Sequence, residues 1–244
     1  MISSVGIVGH GSFGAFVELL TKRFAPELMV KIYSSRVNPD GKRFFSLSEA
    51  ASCDVLILAV PIRAFEETLQ KVLPLVSENT ILVDVATVKL HTTEVLRRIA
   101  QKTHYVASHP MFGPESYSKR GGEVGGFKIV IADHTLSERE YASLKNLLAG
   151  WGFSVIEMDA HKHDKHLAET LFLTHFIGQT IARGEFDRTA IDTVSFGFLM
   201  DAVESVRHDT ELFKDVYHFN PYCEDVLERF ERCEKEVHTL LERI

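Results

Sequence analysis

The chain has 244 residues, 45% hydrophobic and 25% charged, with a mean hydropathy of 0.00; these are globular values that exclude disordered, collagen-like and disulfide-scaffold classes. The 27 basic residues against 34 acidic ones leave a net charge of −7, which argues against nucleic acid as a partner, and no apolar run reaches the roughly 20 residues a bilayer helix needs, so no membrane is expected. Three cysteines without a C-x-x-C pair, and a start at Met1 lacking a signal-peptide pattern, predict reduced thiols and a cytoplasmic location.

Short β-branched runs alternate with helix-length segments through the first 158 residues. Residues 5–8, 29–33, 55–60, 81–85, 105–108, 128–132 and 154–158 read as strands, and 13–24, 65–76, 92–101 and 137–150 as helices, the last opened by a Ser137–Glu140 capping box. This is the pattern of an α/β, Rossmann-type doubly wound parallel sheet. From 159 to 244 only helical periodicity remains, broken near 184–189 and at Asn220-Pro221. Two domains are predicted: 1–158, and an all-helical 159–244.

The first strand runs into Gly9-His10-Gly11-Ser12-Phe13-Gly14, which opens a helix. In that context a G-x-G-x-x-G cradles a pyrophosphate: one glycine for the turn, one for close backbone approach, one for helix–strand packing, with the helix N-terminus facing the anion. His10 reads as a loop residue. An enzyme using NAD places an acid at the end of the second strand, but here the sequence is Ser34-Ser35-Arg36, with no carboxylate before Asp40. Small hydroxyls and a guanidinium suit a 2′-phosphate, so NADP is expected, with NAD as the alternative.

The fourth and fifth strands deliver Asp84-Val85-Ala86-Thr87-Val88-Lys89 and Ser108-His109-Pro110-Met111-Phe112-Gly113-Pro114-Glu115-Ser116 at carboxyl ends, where such sheets keep their ligands. His109 is expected to be a general base of near-neutral pKa, Thr87 to orient it or a substrate hydroxyl, and Lys89 to hold a carboxylate. In His161-x-His163-x-x-His166 no third ligand is fixed by spacing, so no metal is expected. His163, Leu167, Leu171 and His175 form a stripe at spacing four; the two histidines are about 18 Å apart on a straight helix, so at most one touches a small substrate.

These motifs resemble the prephenate and arogenate dehydrogenases of tyrosine biosynthesis, and the plant-type arogenate enzymes in particular. The likeness runs from the glycine fingerprint through Asp84–Lys89 and the His109–Ser116 run to His163-Asp164, Thr174-His175 and Asn220-Pro221. It implies NADP-dependent oxidative decarboxylation of arogenate or prephenate, with His109 and Thr87 catalytic and Lys89, Glu115, Ser116 and His175 against the substrate. The chain departs from the bacterial pattern at Gly178, where those enzymes carry a second histidine, and near Asp201, where they carry an arginine; Leu171 stands where plant-type enzymes usually have glutamine. Arg183 and Arg188 join Lys89 as candidates for the carboxylate clamp, and Glu115 and Asp201 as acceptors for an arogenate ammonium. Phe172, Phe176, Phe196, Phe198, Leu199, Phe213 and Phe219 exceed what the helical part readily buries alone, which predicts a homodimer, as the resemblance also implies. With the sequence ending at Ile244, no appended tyrosine-sensing domain is expected. Another NADP-linked reductase of hydroxy acids or imines, and a non-catalytic NADP-binding dimer, remain as alternatives.

Overall fold

The apolar runs assemble, in a computed structural model describing residues 2–242, as a seven-stranded sheet ordered β2-β1-β3-β4-β5-β6-β7. Met1 and Ile244, on which the expectations about the two ends rest, lie outside the described residues. β1 (Ser4–Val8), β2 (Met29–Tyr33), β3 (Val55–Leu58), β4 (Ile81–Asp84) and β5 (His104–Pro110) run parallel. Ile7, Ile32, Leu56, Leu58 and Leu82 are fully buried, as strands covered on both faces require. The crossovers are α1 (Ser12–Phe24), α2 (Leu47–Ala51), α3 (Phe65–Val72) after a 3-10 turn, and α4 (Lys89–Ile99).

The sheet departs from the expected parallel order at one edge. β6 (Lys128–His134) lies antiparallel to β5, and β7 (Ser154–Glu157) parallel to β6. Between β5 and β6 the chain offers only α5 (Pro114–Lys119) and a turn-forming stretch in which Gly121, Gly122 and Gly126 take positive φ. It therefore folds back beside β5 instead of crossing a face of the sheet. α6 (Glu138–Gly150), opened by the Ser137–Glu140 capping box, supplies the crossover that keeps β6 and β7 parallel. The β5–β6 ladder slips between Ala107 and Ser108, leaving Ala132 outside the pairing, a bulge immediately before His109.

The chain divides into two compact units, Met1–His163 and Asp164–Ile244. The division falls inside α7 (Ala160–Leu167), which continues through a π turn (Ala168–Phe172) into α8 (Leu173–Arg183); α9 (Val194–Val206), α10 (Thr210–Phe219) and α11 (Cys223–Glu242) follow. The π turn corrects the expected stripe at one member: His163, Leu167 and His175 are buried, but Phe172 faces the core in place of Leu171, with Asp164, Ala168, Gly178 and Gln179 also buried. One π turn acts as one inserted residue, re-aiming the downstream face by about 100°. Side chains satisfy carbonyls there: Thr170 Oγ1 donates to His166 O (2.7 Å) and Asn220 Nδ2 to Asp164 O (2.8 Å). Among the described residues no helix is long and apolar enough to cross a membrane.

Candidate active site

From β1 the chain goes to β2 on one side and later to β3 on the other, so a crevice opens at the carboxyl ends of β1 and β3. The glycine loop sits there, with Gly9 N donating to Tyr33 O (2.9 Å) and Ala59 N to Val8 O (2.8 Å). Its glycines differ in kind. Gly9 has φ +98° and a Cβ on it would lie 2.3 Å from Ala59 O; one on Gly14 would lie 2.1 Å from Gly9 O. The fold therefore demands both. A Cβ on Gly11 would meet nothing within 4 Å, and its φ of −80° is ordinary. Packing does not require this glycine; its missing side chain leaves the start of α1 uncovered. That start has no side-chain cap and no acid in its first turn, so its N–H groups face open space. Gly11, Ser12 and Phe13 thus fit the pyrophosphate of a dinucleotide.

After β2, Ser34 is half-buried while Ser35 and Arg36 are exposed, and Ser34 Oγ accepts from Arg36 N (3.3 Å). Asp40 does not reach for a ligand. It accepts from the N–H groups of Lys42, Arg43 and Phe44, bonds that hold its carboxyl at about 2. Nearby lies a network with no forewarning in the motif. Glu18, buried on α1, receives both Nε and Nη2 of Arg43 (3.0 and 2.7 Å), Lys22 Nζ (2.6 Å) and His10 Nε2 (3.1 Å). Burial pushes its carboxyl up, but the bonds from Arg43, Lys22 and His10 outweigh that and hold it at about 2. His10 is therefore a strut tying the glycine loop to α1. A carboxylate set among the apolar residues of α1 was the available signal.

The ends of β4 and β5 form the second cluster. His109 is buried, and its Nδ1 lies 3.0 Å from Nε2 of His163, which stands in the first turn of α7. β7 ends at Glu157, level with Ile131 and Ser108, and α7 begins three residues later, which places His163 within reach of His109. Asp159 then closes the turn, its Oδ1 accepting from Lys162 N and its carbonyl from His163 N (both 2.9 Å). Burial first, then the neighbouring His163 and Lys89, push the His109 pKa well below 6.5. This replaces the expected near-neutral value, and the ring is uncharged at neutral pH.

The structure corrects the role expected of Lys89. Its side chain is fully buried, its ammonium bonds Asp84 and donates to Ser108 O (2.7 Å), so it is no surface clamp for a carboxylate. Asp84 Oδ1 accepts from Ala86 N and Ser108 Oγ donates to Asp84 O (2.8 Å each). The pair locks together the two strand ends that carry the site. Thr87 is half-buried in the turn between β4 and α4. Glu115 is exposed on α5 and paired with Lys119 (2.9 Å), and Ser116 Oγ caps the same helix by accepting from Gly113 N (3.2 Å). In the second unit His175 is buried, its Nδ1 without a hydrogen-bond partner, and burial depresses its pKa. Among the described residues no group of three His, Cys, Asp or Glu suits a metal.

The family profile described as "Prephenate dehydrogenase, nucleotide-binding domain" matches residues 40–157. Arogenate dehydrogenase 2, chloroplastic, of Arabidopsis thaliana is 28% identical over 249 residues, covering 96% of this chain and 69% of that protein. Arogenate dehydrogenase 1, chloroplastic, of the same plant is 30% identical over 240 residues, 93% of this chain and 37% of that one. The chain belongs to the prephenate and arogenate dehydrogenase family. The crystal structure of prephenate dehydrogenase from A. aeolicus, in complex with hydroxyphenyl propionate and NAD+, shares the fold with a TM-score of 0.75 at 19% identity, covering all of this chain and 92% of that one.

Within this dehydrogenase family the departures acquire physical reasons. A Cβ on Gly178 would lie 2.3 Å from Val206 Cγ2, so α9 fills the space a histidine side chain would take, and Gln179 Nε2 fastens that contact by donating to Val206 O (2.7 Å). Asp201 is no bare acceptor: it and Glu204 together hold Arg188 (2.6 and 2.9 Å), which removes both Asp201 and Arg188 from the free groups. Arg183 ends α8 and is exposed.

Proposed function

We propose that this dehydrogenase carries out oxidative decarboxylation of a cyclohexadienol, arogenate in preference to prephenate, using NADP+. The reading rests on one observation above others: a buried, neutral imidazole at the carboxyl end of β5 whose Nδ1 is engaged by His163, leaving Nε2 for a substrate hydroxyl. His109 Nε2 takes the hydroxyl proton as the carbinol carbon gives up its hydride. Gly11, Ser12 and Phe13 would hold the pyrophosphate of the dinucleotide, whose nicotinamide would supply the hydride acceptor. Loss of the ring carboxylate as carbon dioxide then leaves its electron pair to complete an aromatic ring, which makes the sequence irreversible. Thr87, in the adjoining turn, orients the hydroxyl or the imidazole. Glu115, Ser116 and His175 remain the proposed substrate contacts.

Three features support NADP+ over NAD+: Ser34 and Ser35, the exposed Arg36, and the commitment of Asp40 to its own loop, which leaves no carboxylate for ribose hydroxyls. Arogenate is favoured by the names of the two Arabidopsis relatives. A homodimer through the helical unit is supported by the exposed Ile191, Val194 and Phe198, and sedimentation of the full chain at two concentrations tests it. Free thiols at Cys53, Cys223 and Cys233 suit a reducing, cytoplasmic compartment.

The deciding experiment offers arogenate, prephenate and a panel of hydroxy acids to the protein with NADP+ and with NAD+, following nicotinamide absorbance. Arogenate turnover above prephenate, with NADP+ preferred, is expected. Turnover confined to a simple hydroxy acid would replace this reading by that of another two-domain reductase.

A further inference from the structure

The ring nitrogen bonded to the proposed base comes from 54 positions along the chain, and the sequence does not pair the two histidines. His109 and His163 are both nearly water-free, with ring centroids 5.1 Å apart and planes at 76°. A hydrogen bond across the 3.0 Å contact between the two ring nitrogens uses one proton, and that proton has two possible homes. With the proton on His163 Nε2, His109 Nδ1 is an acceptor and the other His109 nitrogen carries N–H, which can donate to a hydroxyl but cannot deprotonate it. With the proton on His109 Nδ1, the lone pair is left on His109 Nε2, where a base needs it.

Two further observations fix the arrangement. The position of His163 is set by backbone, through the Asp159 turn and the short β7, before any ligand arrives. His109 is itself held in β5 between the Ala132 bulge and Pro110, which keeps the preceding residue extended. The ammonium of Lys89, bound to the carbonyl of Ser108, adds a fixed positive charge beside the pair.

We propose that His163 is a positioning residue: by accepting a hydrogen bond from His109 Nδ1–H it selects the tautomer that leaves Nε2 as the base, and it keeps that bond while the ring is protonated. This rests on the dehydrogenase reading above. The proton taken from the substrate hydroxyl arrives on Nε2, no covalent bond to His163 forms, and His163 never touches the reacting atoms.

The test is imidazole ¹⁵N NMR of the full chain labelled at histidine, with the His109 signals identified by their loss in His109→Asn. In the unsubstituted protein Nδ1 should carry the proton and Nε2 the lone pair. His163→Leu should move His109 toward the Nε2–H form and lower kcat by about 10- to 10³-fold, with cofactor affinity unchanged. His163→Gln, whose side-chain oxygen can accept the same bond, should restore both the tautomer and much of kcat, which a merely structural role would not predict. An Nε2–H tautomer in the unsubstituted protein, or one indifferent to His163→Leu, overturns the inference. If His163→Leu does not fold, the unsubstituted tautomer and the Gln variant still decide. A His163-dependent Nδ1–H tautomer in a protein that turns over neither arogenate nor prephenate keeps the positioning role and removes the substrate reading.

Discussion

Asp84 and Lys89 in the sheet unit, and Arg188 with Asp201 and Glu204 in the helical unit, are the same chemistry in opposite settings. The first pair is sealed from water and joined to backbone at Ala86 and Ser108; the second group stands in solvent at the surface. A sealed pair costs desolvation and returns geometry, because its ions have one satisfactory arrangement. An exposed group has many and constrains little. The sealed pair therefore holds a site in place, whereas the exposed group decorates a surface.

The comparison is broken most severely by removing what the sealed cluster presents. His109→Asn should lower kcat by about 10²–10⁴ while cofactor affinity stays constant. Because burial and the neighbouring His163 and Lys89 keep His109 uncharged, the acidic limb of kcat/KM should lie below pH 6.5 and be absent in the variant; a limb above that pH contradicts the sealed environment. Lys89→Met strands a buried carboxylate and should cost roughly 3–5 kcal/mol of stability by denaturant melts, most of it recovered in Lys89→Met/Asp84→Asn.

Glu18 is intermediate. Its folded carboxyl sits at about 2 against an ordinary 4.5, so its contribution is complete above pH 4.5 and is lost as the pH falls through that window toward 2. About 1–3 kcal/mol should disappear there, and the loss should be absent in Glu18→Gln. Arg36→Ala should weaken NADP+ by about 1–3 kcal/mol and leave NAD+ unaffected, as calorimetric titration would record. At the other extreme, Arg188→Ala should leave the melting temperature unchanged; a clear drop would show that the exposed cluster carries structural weight after all.

What could be read in advance was whatever short stretches decide by themselves. The strand–glycine–helix opening, the Ser137–Glu140 cap and the position of His109 at a strand end depend on residues within a few places of one another. The fate of Lys89 does not: a lysine just past a strand end reads as a contact for a ligand carboxylate, and only the approach of β5 to β4 supplies the carbonyl that draws its stem inward. The reversal of β6 depends on the failure of a short segment to build a crossover helix, and the meeting of His163 with His109 on a contact between residues 54 positions apart. Each is a tertiary outcome without a periodic signature. Gly178 was visible as a departure, but its reason, the side chain of Val206, lies on another helix.

The π turn at Ala168–Phe172 makes that helix unusually sensitive to length. Most helices lose hydrogen bonds and face alignment together when a residue is deleted. Here a deletion within the turn would restore a regular ladder and so look benign to any measure of helicity, while carrying His175 and Gln179 about 100° away from the face they now bury. Relatives differing by one residue at this point would need a gap in the middle of a helix to align correctly. An ungapped match would equate side chains that face in different directions.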